Sequence, residues 1–161
     1  KTVKTEGSGS SGSESEAAAV DTSSLVTTSG YVSDDAAVDG IIPGSQEDLI
    51  VNVGDRVYFD YDSFELDDDA KSLLQEQAAW LKQYNKSSIT IEGHCDERGT
   101  REYNLALGER RANAAKDYLM TYGISSSRIS VISYGKERPV DSGSNPLAWS
   151  KNRRSVTVKA N

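Results

Sequence analysis

Between Asp55 and Ala160, stretches with a two-residue hydrophobic period take turns with stretches of helical period. Arg56-Val57-Tyr58-Phe59 is rich in β-formers and runs into the loop-like Asp60-Tyr61-Asp62-Ser63. Ser87–Glu92 alternates, which puts Ile89 and Ile91 on one face of a strand; Arg128–Tyr134 reads as a third strand and Arg154–Ala160 alternates again. After the first of these strands, Ala70, Leu73, Leu74, Ala78, Leu81 and Tyr84 fall at helical spacing, and Asp67, Asp68 and Asp69 stand where a helix start favours acids and a capping side chain. A second helix, starting near Thr100–Glu102, places Leu105, Ala112, Ala115, Leu119 and Tyr122 on one face and stops at Tyr122-Gly123. Lys136–Ser150 reads as a loop with a helical turn near Leu147-Ala148-Trp149. The order is β-α-β-α-β-(loop/short helix)-β. Helices between strands imply crossovers packed on a sheet, and strands that alternate leave the other sheet face polar. The expected fold is α+β, a two-layer α/β sandwich, rather than a doubly wound sheet covered on both faces.

The N-terminal part has a different character. Residues 1–45 hold seven acids against two lysines, a net of −5, while residues 46–161 hold 18 acids and 16 bases, a net of −2. Residues 1–30 are dominated by Ser, Gly, Thr and acid, too little apolar surface to offset chain entropy. The expected organisation is a flexible tether over 1–45 and a folded domain over 46–161. Residues 31–53, with Ile41-Ile42, Pro43-Gly44 and Leu49-Ile50-Val51, either lie against the domain or form a short strand.

Several function classes fit poorly. A chain of pI near 4.8 lacks the basic face that neutralises phosphates, so no nucleic acid is expected. One cysteine, Cys95, allows no internal disulfide. His94 beside Cys95 offers two donors with no CxxC partner, too few for a metal, and no cofactor motif follows a strand. No apolar run approaches the ~20 residues of a spanning helix. No signal peptide is visible before the polar segment that Lys1 opens, which fits either a cytosolic chain or one whose targeting segment has been removed. No catalytic constellation is recognisable, and Cys95 reads as structural.

The stretch GHCDERGTREYNLALGERRA, Gly93 to Ala112, concentrates what chemistry there is. Asp96 lies just past a strand and Arg111 about two and a half turns into the following helix, ~14 Å along its axis. A long side chain leaning toward the helix N-terminus reaches back toward the turn. Asp96 can then hold an ammonium and Arg111 a carboxylate, the two charges of an amino-acid head group. An internal Asp96–Arg111 salt bridge that staples turn to helix is the competing reading, and spacing leaves both open. Gly93 and Gly99 suit a strained turn. Of Arg153 and Arg154, one is expected to point into the site and the other to solvent.

The same stretch resembles the signature of OmpA-like peptidoglycan-binding domains, within them the peptidoglycan-associated lipoprotein type. VYFDYDSFEL, ISYGKERP and WSKNRR agree, and the resemblance spans about residues 53–161. It implies a β-α-β-α-β-β type of domain and non-covalent binding of the peptidoglycan stem peptide through meso-diaminopimelate. Carried over by position, Asp96 takes the ammonium and Arg111 the carboxylate. Asp62 and Tyr61 contribute from the first loop, Arg98, Thr100, Asn104 and Leu107 line the groove, and Arg153 is a weaker candidate. The resemblance favours the ligand reading over the salt bridge. It further implies a lipid anchor on a Cys preceding this chain, attachment to the outer membrane on its periplasmic side, TolB and other Tol-Pal components as partners, and a role in envelope constriction during division. The alternative is the wall-anchoring module of a larger assembly, such as a flagellar stator or an outer-membrane barrel protein. A wall hydrolase would need a metal or an acid/base pair that the sequence does not offer.

Overall fold

The computed structural model describes residues 40–160, so the tether expected over 1–45 lies almost wholly outside the described residues. Contacts divide the chain into two compact units, one ending at Asn52 and the other running Val53–Asn161. In the first, Ser45 caps a helical turn, α1 (Gln46–Asp48), which continues as a wider π-type turn over Leu49–Val53. The short strand envisaged around Leu49-Ile50-Val51 is therefore not formed. Asp48 explains why: its carboxylate accepts from Gly44 N at 2.8 Å and from Asn52 Nδ2 at 2.7 Å, and its own N–H reaches Ser45 Oγ at 3.1 Å. These local bonds satisfy the segment as a helix and leave a strand nothing to gain.

The second unit carries β1 (Arg56–Tyr58), α2 (Asp68–Gln83), β2 (Ile89–His94), α3 (Arg101–Thr121), a 3-10 turn (Ser126–Arg128), β3 (Ile129–Gly135), α4 (Pro146–Asn152) and β4 (Arg154–Lys159). The expected order of elements holds. The sheet runs β1-β4-β2-β3, with β2 and β3 parallel and both pairings of β4 antiparallel. α2 begins as its acids suggest: the Asp67 side chain accepts from Ala70 N at 2.8 Å. Ala70, Leu74, Ala78, Trp80 and Leu81 are buried on it. Ile89 and Ile91 of β2, Val57 of β1 and Ile129 of β3 are buried on the sheet, while Thr90 and Glu92, which alternate with the two isoleucines, are only half-buried.

One approach fixes where the functional end of α3 sits. A Cβ on Gly93 would stand 1.7 Å from the Gly108 carbonyl oxygen, and a Cβ on Gly108 would stand 2.3 Å from Ser133 Oγ. Helix α3 therefore crosses β2 backbone against backbone, with the Ser133 hydroxyl of β3 against Gly108, an approach that the paired glycines Gly93 and Gly108 allow. The expected buried face of α3 is corrected in consequence. Leu105 is half-buried and Tyr122 is exposed, and the buried side comprises Asn104, Leu107, Gly108, Arg111, Ala112, Ala115 and Leu119. Gly108 facing the sheet brings Arg111, one turn on, over the C-terminal end of β2.

The opposite sheet face is polar, as the alternation indicates. Register places Arg56, Glu92 and Val156 abreast, and Tyr58, His94 and Arg154 abreast. His94 stacks on Tyr134 and its Nε2 lies 3.0 Å from Glu92 Oε1; burial lowers its pKa, and Arg154 nearby lowers it further, so the ring is neutral at neutral pH.

Candidate functional site

The C-terminal end of β2, the first turn of α3 and the β1–α2 loop enclose a small pocket. Seven of the nine sequence-predicted residues line it: Tyr61, Asp62, Asp96, Arg98, Asn104, Leu107 and Arg111. Thr100 is the N-cap of α3, its Oγ1 accepting from Tyr103 N at 3.1 Å, and so shapes the site by starting its helix. Arg153 reaches the site from the junction of α4 and β4. Its Nη1 lies 3.4 Å from Asp96 Oδ2 and its Nε donates to Phe59 O at 2.9 Å. Arg154 does not turn to solvent as expected. It is buried on the polar sheet face, donating to Asn152 O and Arg138 O.

Asp96 is 4% exposed, and it is charged. Burial pushes its carboxyl pKa up, but the side-chain and backbone hydrogen bonds and the charge of Arg98, with Arg153, outweigh burial and hold it below the usual carboxylate range. Arg98 Nη2 donates to Oδ2 at 2.9 Å, Arg98 Nε to Oδ1 at 3.3 Å, and the Arg98 backbone N–H to Oδ1 at 3.0 Å. The guanidinium is also sandwiched: its central carbon lies 4.1 Å from the Tyr61 ring centroid and 4.0 Å from that of Trp149. A carboxylate with two aromatic rings flanking the cation it holds is a strong seat for that cation.

Arg111 is fully buried, yet no carboxylate pairs with it. Nε donates to Ser63 O at 2.8 Å, Nη1 to His94 O at 2.9 Å and Nη2 to Asp60 O at 3.1 Å. One guanidinium thus ties the β1–α2 loop to the end of β2. The salt bridge between Asp96 and Arg111 that spacing left open is not formed; Asp96 pairs with Arg98 and Arg153 instead. Three of the five Arg111 N–H donors go to carbonyls and the Cys95 sulfur also interacts with the guanidinium, so Arg111 stands behind the pocket wall as a buried positive charge.

The remaining residues hold the turn. Asn104 Nδ2 donates to Arg98 O and Thr100 O, both at 2.9 Å, and Gly99 takes φ +97, a conformation that favours glycine. Lys136 Nζ adds donors to Glu97 O and Gly99 O. Cys95 is buried, with its thiol donating to Asn104 O at 3.3 Å; burial, against the charge of Arg111 and with that of Asp96, pushes its pKa up to about 11. That thiol is structural. Asp62 has φ +53, tolerable for Asp, and accepts a short hydrogen bond from the Tyr103 hydroxyl.

Sequence reasoning missed three contributors. Trp149 walls the cation seat, Glu97 fixes Trp149 by accepting its Nε1–H at 2.8 Å, and Tyr103 ties α3 to the first loop. Trp149 had a signal: a large aromatic in a polar loop with no apolar period to explain it.

A model of the OmpA family matches residues 58–153. The chain belongs to the OmpA family. A peptidoglycan-associated lipoprotein of Mesorhizobium japonicum is 57% identical over 116 residues, covering 72% of this chain and 69% of the relative. One from Pseudomonas aeruginosa is 43% identical over 125 residues, covering 78% and 72%. The crystal structure of the peptidoglycan-associated lipoprotein from Burkholderia pseudomallei superposes with TM-score 0.64 at 43% identity, over 65% of this chain and 89% of that one. The C-terminal domain of Helicobacter pylori MotB, at 20% identity and TM-score 0.62, shares the fold. The OmpA-like α+β architecture expected from the sequence is the one this family has.

Proposed function

We propose that this chain binds peptidoglycan non-covalently, through the meso-diaminopimelate of the stem peptide, as an outer-membrane lipoprotein of the Tol-Pal system. The observation that carries it is the buried, ionised Asp96 at a pocket that already accommodates an organic cation, with Arg111 lining the same pocket. The free end of diaminopimelate is a zwitterionic amino-acid centre. Its ammonium suits the Asp96 seat, and its carboxylate suits the positive charge that Arg111 holds behind the pocket wall. Relatives at 57% identity are named for association with peptidoglycan, which supports the same ligand. The site offers no nucleophile with its base, so the role is attachment rather than turnover. Single sites of this kind bind weakly, and a wall with many copies makes attachment firm. With a lipid on a Cys ahead of this chain, residues 1–45 tether the domain to the outer membrane, where TolB and the other Tol-Pal components engage it and the envelope is drawn in during division.

The test is co-sedimentation with isolated sacculi and titration with a diaminopimelate-containing stem peptide, using the wild type and Asp96→Ala. Asp96→Ala abolishes both; retention of stem-peptide binding would remove the site assignment. Stem peptide with lysine in place of diaminopimelate lacks the second carboxylate and binds weakly.

A further inference from the structure

We propose that Tyr61, Asp96 and Trp149 form a cation cage that Arg98 fills in the free protein and that the ligand's ammonium takes over on binding. The proposal rests on the reading above for the identity of the ligand, but the cage itself stands on geometry. The Arg98 guanidinium carbon lies 4.1 and 4.0 Å from the centroids of two rings, and the group meets Asp96 through two of its nitrogens. Both ring distances fall well inside the ~6 Å over which a cation is attracted to an aromatic face. A carboxylate as buried as Asp96 needs a cation beside it, and the chain supplies its own when no ligand is there.

Two of the three walls do not depend on the side chain that fills the cage. Tyr61 comes from the β1–α2 loop, Trp149 from α4 and Asp96 from the end of β2. Trp149 is held by Glu97 Oε2 at 2.8 Å, and the other Glu97 oxygen accepts from Ser144 Oγ at 3.1 Å. Asp96 keeps the Arg98 backbone N–H at 3.0 Å and Arg153 Nη1 at 3.4 Å whatever the Arg98 side chain does. Arg98 itself is 33% exposed in its side chain, so it has an open way out to solvent. Trp149 and Asp96 are thus held independently of the occupant, and the exposed Tyr61 ring is the wall that closes on whichever cation is present.

Two consequences follow for recognition. Binding exchanges one cation for another, so the free-state contact of Arg98 lowers the apparent affinity by the fraction of time the seat is open. The walls require a cation, so an N-acetylated or otherwise neutral amine is rejected by the desolvation of Asp96. Arg98 and Trp149 become specificity-determining residues: Arg98 sets a threshold that only a well-placed ammonium clears, and Trp149 with Tyr61 supplies the preference for charge.

The experiment titrates the diaminopimelate tripeptide stem into the wild type, Arg98→Ala and Trp149→Leu by calorimetry. Arg98→Ala is expected to bind about tenfold tighter, because the seat is always open. Trp149→Leu is expected to bind about tenfold more weakly, through loss of one cage wall. Equal or weaker binding by Arg98→Ala overturns the proposal, and Arg98→Gln repeats the arm should Arg98→Ala fold poorly. A second arm needs no stem peptide: methylguanidinium is titrated into wild type and Arg98→Ala while the indole N–H signal of Trp149 is followed by NMR. A shift in the variant at concentrations that leave the wild type unmoved supports the cage, and no shift in the variant overturns it. Should the wild type bind no stem peptide at all, the ligand reading fails, and the methylguanidinium arm still decides the cage.

Discussion

Replacing Arg111 with Met removes one guanidinium from between three backbone carbonyls, those of Asp60, Ser63 and His94. The His94 carbonyl is buried, and the other two are partly so. A buried acceptor left without its donor costs about 1–3 kcal/mol, with partly buried ones at the lower end because water can replace the donor. Three together come to roughly 3–5 kcal/mol. An offset comes from the charge: burial lowers the Arg111 pKa, a sign that the guanidinium is held against a desolvation cost that Met does not carry. We therefore expect a net loss of about 3 kcal/mol, a large share of the 5–15 kcal/mol that keeps a typical domain folded. Arg111→Lys keeps the charge but offers a point donor in place of a fork, and is expected to lose about 2 kcal/mol. Urea denaturation of the wild type and both variants measures this directly. A loss under about 1 kcal/mol for Arg111→Met would refute the claim that Arg111 ties loop to strand. The outcome also governs the reading of ligand assays: stem-peptide affinity of Arg111→Lys, corrected to its folded fraction, separates a grip on the ligand carboxylate from the positioning of the loop that carries Tyr61 and Asp62.

The close crossing of α3 over the sheet predicts that Gly93→Ala costs about 3 kcal/mol or more, because backbone rather than a side-chain tip must move; thermal denaturation reads it. Arg98, acting against burial, holds the Asp96 carboxyl below the usual range, so its contribution is complete above the unfolded-state value near ~4 and is lost as pH falls through the lower folded value. Stem-peptide affinity, followed by calorimetry, should thus show no Asp96 titration between neutral pH and about 4, and a carboxyl midpoint near ~6 would contradict the assignment. The Cys95 thiol, raised to about 11 by burial, should resist iodoacetamide in the native protein at mildly alkaline pH and react on unfolding, as mass spectrometry can show.

How much of this was legible in the sequence depends on what kind of contact is involved. The order of strands and helices was legible because each element carries its own period and its own punctuation: Asp67 before α2, Gly123 after α3. The buried face of α3 was misread because hydrophobic periodicity looks for apolar residues, and this face buries Asn104 and Arg111 at its site end. Those two positions are polar because they serve the pocket, so the period fails where function begins. Seven of the nine candidate residues do meet at one pocket, but the pairing among them was not legible. Charge logic kept an Asp96–Arg111 pairing open, since sequence displays opposite charges and hides backbone carbonyls. In the fold the guanidinium with the most buried position takes the carbonyls, and the more exposed Arg98 and Arg153 take the carboxylate. The role of Trp149, though its place in a polar loop was a signal, was hidden for a related reason. Its partner Arg98 lies 51 residues away, and the two meet only because α4 and the β2–α3 turn converge on Asp96. A buried acid just past a strand end, with an arginine two residues on and aromatic residues in distant loops, is thus better read as a cation seat with a resident occupant than as half of a salt bridge to the nearest helix. In this chain that reading moves the expected determinant of ligand selectivity from Arg111, which is committed to the fold, to the Arg98–Trp149 contact at the pocket mouth.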